Sequence, residues 1–375
     1  MTLPLLAALV FTLPTLALAV LVGLALWSLG RPQRRYWRTA TWLNLALFPL
    51  HLFVTFPVAM GYVGSRWIPT RGDEQLYQGP RVLASGELQV QTTETLRAER
   101  DAGGPLVPDE VVADVAAREH RVKTREGVEI RVFCVEPLEP APEFLAVLVH
   151  GMFRSSMEVE AVAKMLRQRG GECWLMDQCN HGGSSRAPFT GGLRESDDVV
   201  GVVDYVRSQP GRAATPLLMF GVSLGTIGVT LALPRIDGVA GVVLDAPIDD
   251  LTAAAHRMMT FHRPGDKRSM MYMYEPWRSL IVTAIGAWSG FSMSEVSPIE
   301  VVATMPHDLP VLVIAEELDD RAPPRTVKDL YARLPQHEGT KELWQVPGVG
   351  HGKAFRAVPG AYDEALGRLV RRLRR

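Results

Sequence analysis

A chain of 375 residues, 47% hydrophobic and 22% charged, has ample apolar content for a buried core, which excludes intrinsic disorder. Its 40 Lys and Arg against 41 Asp and Glu leave a formal net charge of −1, without the basic surplus that nucleic-acid binding uses, so no nucleic-acid partner is expected. Three cysteines are too few for a disulfide scaffold.

The charge is unevenly spread. The first 65 residues carry Arg31, Arg34, Arg35 and Arg38 and no acidic group, and Asp73 is the first acid in the chain. Leu3 to Leu29 and Thr39 to Ser65 are uncharged apolar runs, each long enough to cross a bilayer as a helix. Trp27, Tyr36, Trp37, Trp42, Tyr62 and Trp67 lie near their ends, where interfacial aromatics belong. Residues 1–68 are therefore expected to form two transmembrane helices, a multi-pass membrane anchor. The first run lacks the positive n-region of a cleaved signal peptide and is longer than its apolar stretch. The arginines between the runs favour a cytoplasmic turn, which places the rest of the chain outside the cytoplasm.

Residues 69–118, punctuated by Gly-Pro and Gly-Gly-Pro, read as a linker with one short helix over Pro108 to Arg118. From residue 119 to 375 the pattern is α/β. His120–Lys123 and Val128–Val135 alternate around Arg125-Glu126-Gly127 as a hairpin. Strands are then expected at Phe144–Val149, Cys173–Met176, Pro216–Phe220, Val239–Leu244, Pro310–Ile314 and Glu342–Val346. Helices are expected at Val159–Arg169, Arg194–Ser208, Leu224–Leu233, Val327–Arg333 and Tyr362–Leu373. This alternation implies a mostly parallel sheet covered by helices on both faces, with chemistry beyond the carboxyl ends of its strands.

Those strand ends carry reactive residues. Gly221-Val222-Ser223-Leu224-Gly225 is a G-x-S-x-G turn between a strand and a helix, which lifts a serine hydroxyl clear of the sheet. His150-Gly151-Met152 follows an earlier strand. The N–H groups of Met152 and Leu224 are the expected oxyanion donors, with His150 structural. Pro347-Gly348-Val349-Gly350-His351-Gly352 follows the last strand and presents His351, flanked by glycines, as the general base. The acid is sought in Ala315-Glu316-Glu317-Leu318-Asp319-Asp320-Arg321-Ala322-Pro323-Pro324, where two adjacent aspartates compete. Asp320, with a proline four residues on, is the expected partner of His351. Asp319 is the alternative, and Asp249 or Asp250 a more distant one. No cluster of His or Cys has metal-ligand spacing, so neither metal nor cofactor is expected.

The order Ser223, Asp320, His351, with these loops, resembles the α/β-hydrolase superfamily of serine esterases and lipases over about two-thirds of the chain. Asp177-Gln178-Cys179-Asn180-His181-Gly182-Gly183-Ser184 is similar to its D-x-R-G-H-G-x-S loop, with Cys179 and Asn180 departing from it. The resemblance implies an α/β-hydrolase fold and acyl transfer through an acyl-enzyme. Residues 251–298 interrupt the alternation as a cap insertion. Its Met258, Met259, Met270, Met271, Met273, Phe261, Trp277, Trp288 and Phe291 either line an acyl-chain pocket or pack a small core of their own. The expected function is a membrane-anchored serine hydrolase of carboxylic esters, acting on a small-molecule or lipid substrate. Thioesterase, amidase or peptidase, acyltransferase and a non-catalytic membrane binding protein are the alternatives.

Overall fold

The computed structural model describes residues 33–67, 77, 79–83, 85–91, 111–112, 117–260 and 274–373. The apolar run Leu3–Leu29 lies outside them. The chain divides into two compact units, Met1–Ile68 with Met258–Ser292, and Pro69–Arg257 with Met293–Arg375.

The second unit is built on a sheet of eight strands. After β1 (Arg81–Leu83), β2 (Leu88–Gln89) and β3 (Val111–Val112) come β4 (Ala117–Lys123), β5 (Glu129–Val135), β6 (Phe144–Val149), β7 (Gly171–Met176), β8 (Leu217–Val222), β9 (Val239–Asp245), β10 (Val311–Glu316) and β11 (Lys341–Val346). The last eight form one sheet in the order β11-β10-β9-β8-β6-β7-β5-β4. Its pairings are parallel from β11 to β7, and antiparallel where β5 meets β7 and β4 meets β5. The central strands β6, β7, β8 and β10 are buried at every residue, as unbroken apolar runs require when helices cover both faces. The Glu160–Arg167 and Pro359–Leu373 helices pack together against the sheet. A second pair, Glu195–Ser208 and Leu224–Ala232, does the same.

Residues expected to be a linker with one short helix contribute strands. β1, β2 and β3 form a small antiparallel sheet. The helix expected over Pro108–Arg118 is not formed, since Val111–Val112 pairs with β1 and Ala117 already belongs to β4. Tyr77 is fully buried against Phe133, and its hydroxyl donates to the buried carboxylate of Glu160. The same carboxylate accepts Gln91 N–H at 2.7 Å.

In the first unit a helix runs over Gln33–Leu50, passes through a π-helical turn at His51–Thr55 and continues as Phe56–Trp67. It starts earlier than the expected Thr39, so three of the four clustered arginines lie on the helix itself. The π turn sits where Pro57 must be accommodated. Phe56 N–H bonds back to His51 O, and Pro57 has no N–H, so Leu52 O is left without its helical donor. The Trp277 indole N–H takes that carbonyl at 3.0 Å. Trp277 also stacks on Phe53, and Trp288 bonds Val58 O at 3.1 Å. The Trp277–Ser289 helix lies so close that a Cβ on Gly61 would sit 2.4 Å from Ala284 Cβ. Phe56, Met60 and Ile281 form the small core, with Met259 and Trp277 against it. Met259, Trp277, Ile281 and Ile285 of the insertion thus pack with the N-terminal helices, while Met258 and Trp288 are exposed. Phe261, Met270, Met271 and Met273 lie outside the described residues. Among the described residues, Leu45–Arg66 is the one stretch long and apolar enough to cross a membrane, with mean hydropathy 1.6.

Candidate active site

β8 delivers Ser223 through a turn that glycine alone permits on both sides. A Cβ on Gly221 would lie 2.6 Å from Gly225 O, and one on Gly225 would lie 2.3 Å from Val149 O. Ser223 itself has φ 53° and ψ −120°, a region non-glycine residues rarely enter and one that stores about 1–3 kcal/mol. The turn is held by Ser223 N–H to Asp245 O at 2.9 Å, and by the Thr226 hydroxyl donating to Ser223 O at 2.6 Å.

Ser223 Oγ lies 2.6 Å from His351 Nε2, and His351 Nδ1 lies 2.7 Å from Asp319 Oδ2. With the imidazole proton on Nδ1 donated to Asp319, Nε2 offers its lone pair to the Ser223 hydroxyl. The acid in contact with His351 is therefore Asp319, not Asp320. Asp319 is 4% exposed, and its Oδ1 accepts Arg321 and Ala322 N–H at 2.8 and 2.9 Å. This side-chain turn points the second oxygen at the imidazole. Asp320, one residue on, faces solvent. The more distant candidates are engaged elsewhere. Asp249 pairs with Arg257 at 2.6 Å, and Asp250 accepts Ala253 N–H at the start of the Leu251–Thr260 helix.

The loop after β6 lies beside the nucleophile, with an added Gly151 Cβ 3.3 Å from Ser223 Cβ. Gly151 N–H is taken by Glu158 Oε2 at 2.7 Å, and Phe153 N–H by His181 Nε2 at 3.0 Å. Between them Met152 N–H has no acceptor among the described residues, and neither has Leu224 N–H at the first position of its helix. His150 is structural. Its Nδ1–H donates to Gly151 O, its Nε2 accepts Gln178 N–H, and burial with the neighbouring His181 pushes its pKa down to about 3.

The Asp177–Ser184 loop braces this arrangement. Asp177 accepts Ser156 N–H and Oγ–H on one oxygen, and Arg131 and Gly183 N–H on the other. Asn180, where the resemblance leads one to expect glycine, adopts φ 67°, a conformation asparagine tolerates, and its Oδ1 accepts Ala187 N–H. The departures at Cys179 and Asn180 leave the loop turn intact. Sequence reasoning missed Arg131, Glu158 and Glu316, for which no local motif exists. Among the described residues, Glu316, Asp319 and His351 are grouped closely enough to hold a cation, and their donor atoms are already engaged by protein partners.

A parallel sheet with two antiparallel edge strands, a serine on a strained strand–helix turn, and a histidine after the last strand are the marks of the α/β-hydrolase fold. The chain has this fold. Its residues 140–275 match the family described as serine aminopeptidase, S33. The Pyrococcus furiosus esterase Pf2001 is similar in structure at 17% identity, covering 68% of this chain and 90% of that one, with a TM-score of 0.54. The α/β hydrolase GrgF from Penicillium sp. sh18 is similar at 18% identity, covering 69% and 99%, with a TM-score of 0.52. A thermophilic esterase from Thermogutta terrifontis is similar at 17% identity, covering 69% and 100%, with a TM-score of 0.50. No curated protein sequence matches the chain.

Proposed function

We propose that the protein is a membrane-anchored serine hydrolase that cleaves carboxylic esters through an acyl-enzyme. The observation that carries this reading is the continuous hydrogen-bond chain Ser223 Oγ, His351, Asp319 at 2.6 and 2.7 Å. Ser223 Oγ attacks the acyl carbonyl as His351 Nε2 takes its proton, and Asp319 stabilises the imidazolium. The unpaired Met152 and Leu224 N–H groups receive the oxyanion. The imidazolium returns the proton to the leaving alcohol. Water, deprotonated by the same imidazole, then releases the acid and restores Ser223.

The anchor is read from the N-terminal composition. The Leu45–Arg66 stretch leaves Leu45, Phe48, Leu50, Val54, Val58 and Tyr62 exposed, a surface that suits lipid. With the Leu3–Leu29 run as a first span, the arginines around residues 31–38 favour the cytoplasmic side and leave the hydrolase unit outside. An anchored enzyme of this kind suits an amphiphilic or lipid ester. All three native cysteines are buried, so a single cysteine at exposed Glu338 is expected to react with an impermeant maleimide in intact cells. Protection there until lysis reverses the topology.

The test of activity is hydrolysis of p-nitrophenyl esters from acetate to palmitate by detergent-solubilised protein, beside Ser223→Ala. Activity absent from the variant supports the esterase, and its chain-length profile separates short from long acyl substrates. Turnover of aminoacyl p-nitroanilides instead of esters favours the peptidase reading that the family description carries.

A further inference from the structure

β10 ends on Glu316, whose side chain is completely buried. Its carboxylate reaches 36 to 38 residues along the chain and accepts three consecutive backbone N–H groups. Oε2 takes Gly352 at 2.7 Å, and Oε1 takes Lys353 at 2.8 Å and Ala354 at 3.0 Å. These are the three residues that follow His351. The loop before the histidine is held by exposed Glu317 accepting Gly348 N–H and by Leu318 N–H donating to Val349 O, both at 2.8 Å. The imidazole therefore has Asp319 on its ring nitrogen and Glu316 on the backbone that carries it.

A second buried acid stands behind Glu316. Asp245, at the end of the neighbouring β9, receives the Tyr362 hydroxyl at 2.7 Å on one oxygen and has no partner on the other. Burial raises the pKa of both acids, and the field of Glu316 adds to that of Asp245. The three N–H donors favour the anion on Glu316, and its field pushes Asp245 toward the protonated form.

We propose that Glu316 is a positioning residue of the active site: by clamping the N–H groups of Gly352, Lys353 and Ala354 it fixes His351 between Ser223 and Asp319. The inference rests on the serine-hydrolase reading of that site. Its carboxylate also acts through space, since the donor atoms of Glu316, Asp319 and His351 lie within 4.8 Å of one another. The other titratable and charged groups around the imidazole are Glu158, with Arg154 and Arg356 beside it, and Asp245 behind Glu316. Of the anions, Glu316 is the one that touches the histidine loop downstream of the ring.

The experiment uses the full chain in detergent and a fluorophosphonate probe, following the labelling rate of Ser223 from pH 5 to 9 at several probe concentrations. Wild type, Glu316→Gln, Glu316→Asp and, as a control away from the site, Asp320→Asn are compared, with thermal unfolding to check folding. Wild type is expected to label faster as pH rises through a single midpoint. Glu316→Gln is expected to label about 10- to 100-fold more slowly at saturating probe, as a displaced base does, with unchanged half-saturation. Its midpoint is expected to fall by about one pH unit, because an anion that favours the imidazolium is gone. Glu316→Asp keeps the charge and loses the reach, so it is expected to slow labelling without moving the midpoint. Glu316→Gln that labels within twofold of wild type at an unmoved midpoint overturns the proposal. If that variant does not fold, wild-type labelling of Glu316→Asp overturns it. Wild type that fails to label overturns the serine-hydrolase reading itself, and the positioning role with it.

Discussion

Asp319 and Asp320 each stand four residues ahead of a proline, Pro323 and Pro324, so spacing alone does not separate them. What separates them is the turn that Asp319 makes with Arg321 and Ala322 N–H, which buries one aspartate and leaves the other in water. Asp319→Asn is therefore expected to lower ester turnover by about 10³- to 10⁴-fold, through the wrong imidazole tautomer, while Asp320→Asn stays within about twofold. A kcat comparison on one p-nitrophenyl ester decides it, and the reverse ranking returns the role to Asp320. Ser223 and His351 were legible because flanking glycines and strand ends mark them. The acid was legible only as a pair. Glu316 was not legible at all, since nothing local marks a glutamate whose partners lie 36 residues away.

The strand–helix turn shows how far element geometry constrains sequence. Gly225→Ala drives a Cβ into the carbonyls of Val149, the last residue of a central buried strand, and of buried His150 just after it, which cannot retreat. It is expected to abolish probe labelling or to yield no soluble folded protein. Gly360→Ala, in the first turn of the closing helix with nothing within 4 Å, is expected to gain about 0.5–1 kcal/mol in denaturant unfolding. Equal effects of the two substitutions would discredit the packing described for the turn. The parallel strands were readable as apolar runs because both faces are covered. Pro108–Arg118 was misread as helical because its two short strand segments gain their partners from β1 and β5.

Over the whole molecule, uneven charge separates an apolar N-terminal piece from an α/β unit, and that division was legible. That residues 258–292 join the first piece was not, because hydropathy along a chain does not say which segments meet. The α/β unit also carries buried acids. Burial raises the Glu160 pKa to about 8 and the Asp198 pKa to about 7. An acid whose folded pKa is raised keeps its proton where the unfolded chain has lost it. Its stabilisation is thus full below the ordinary carboxylate range and is lost as pH rises towards 8. Unfolding free energy is expected to fall by several kcal/mol over that window, and Glu160→Gln is expected to remove much of the slope. Denaturant titrations at pH 5, 6.5 and 8 measure it, and an unchanged slope in the variant assigns the effect elsewhere.

The contact between Trp277 and Leu52 spans 225 residues. At roughly 5–20 residues per second, synthesis separates the two partners by about 10 to 45 seconds. For that interval the Leu52 carbonyl and the Phe56–Met60 face wait without the helix that covers them, while β4 to β9 are already emerging. Biogenesis therefore has an order imposed on it: the early helix must be sheltered, by lipid or a chaperone, until the late one arrives. A fragment begun after residue 68 would make the late helix with no early partner, exposing Trp277, Ile281 and Ile285. A soluble catalytic unit accordingly calls for excising residues 258–292 together with the N-terminal helices, and bridging Arg257 to Met293 with a short linker.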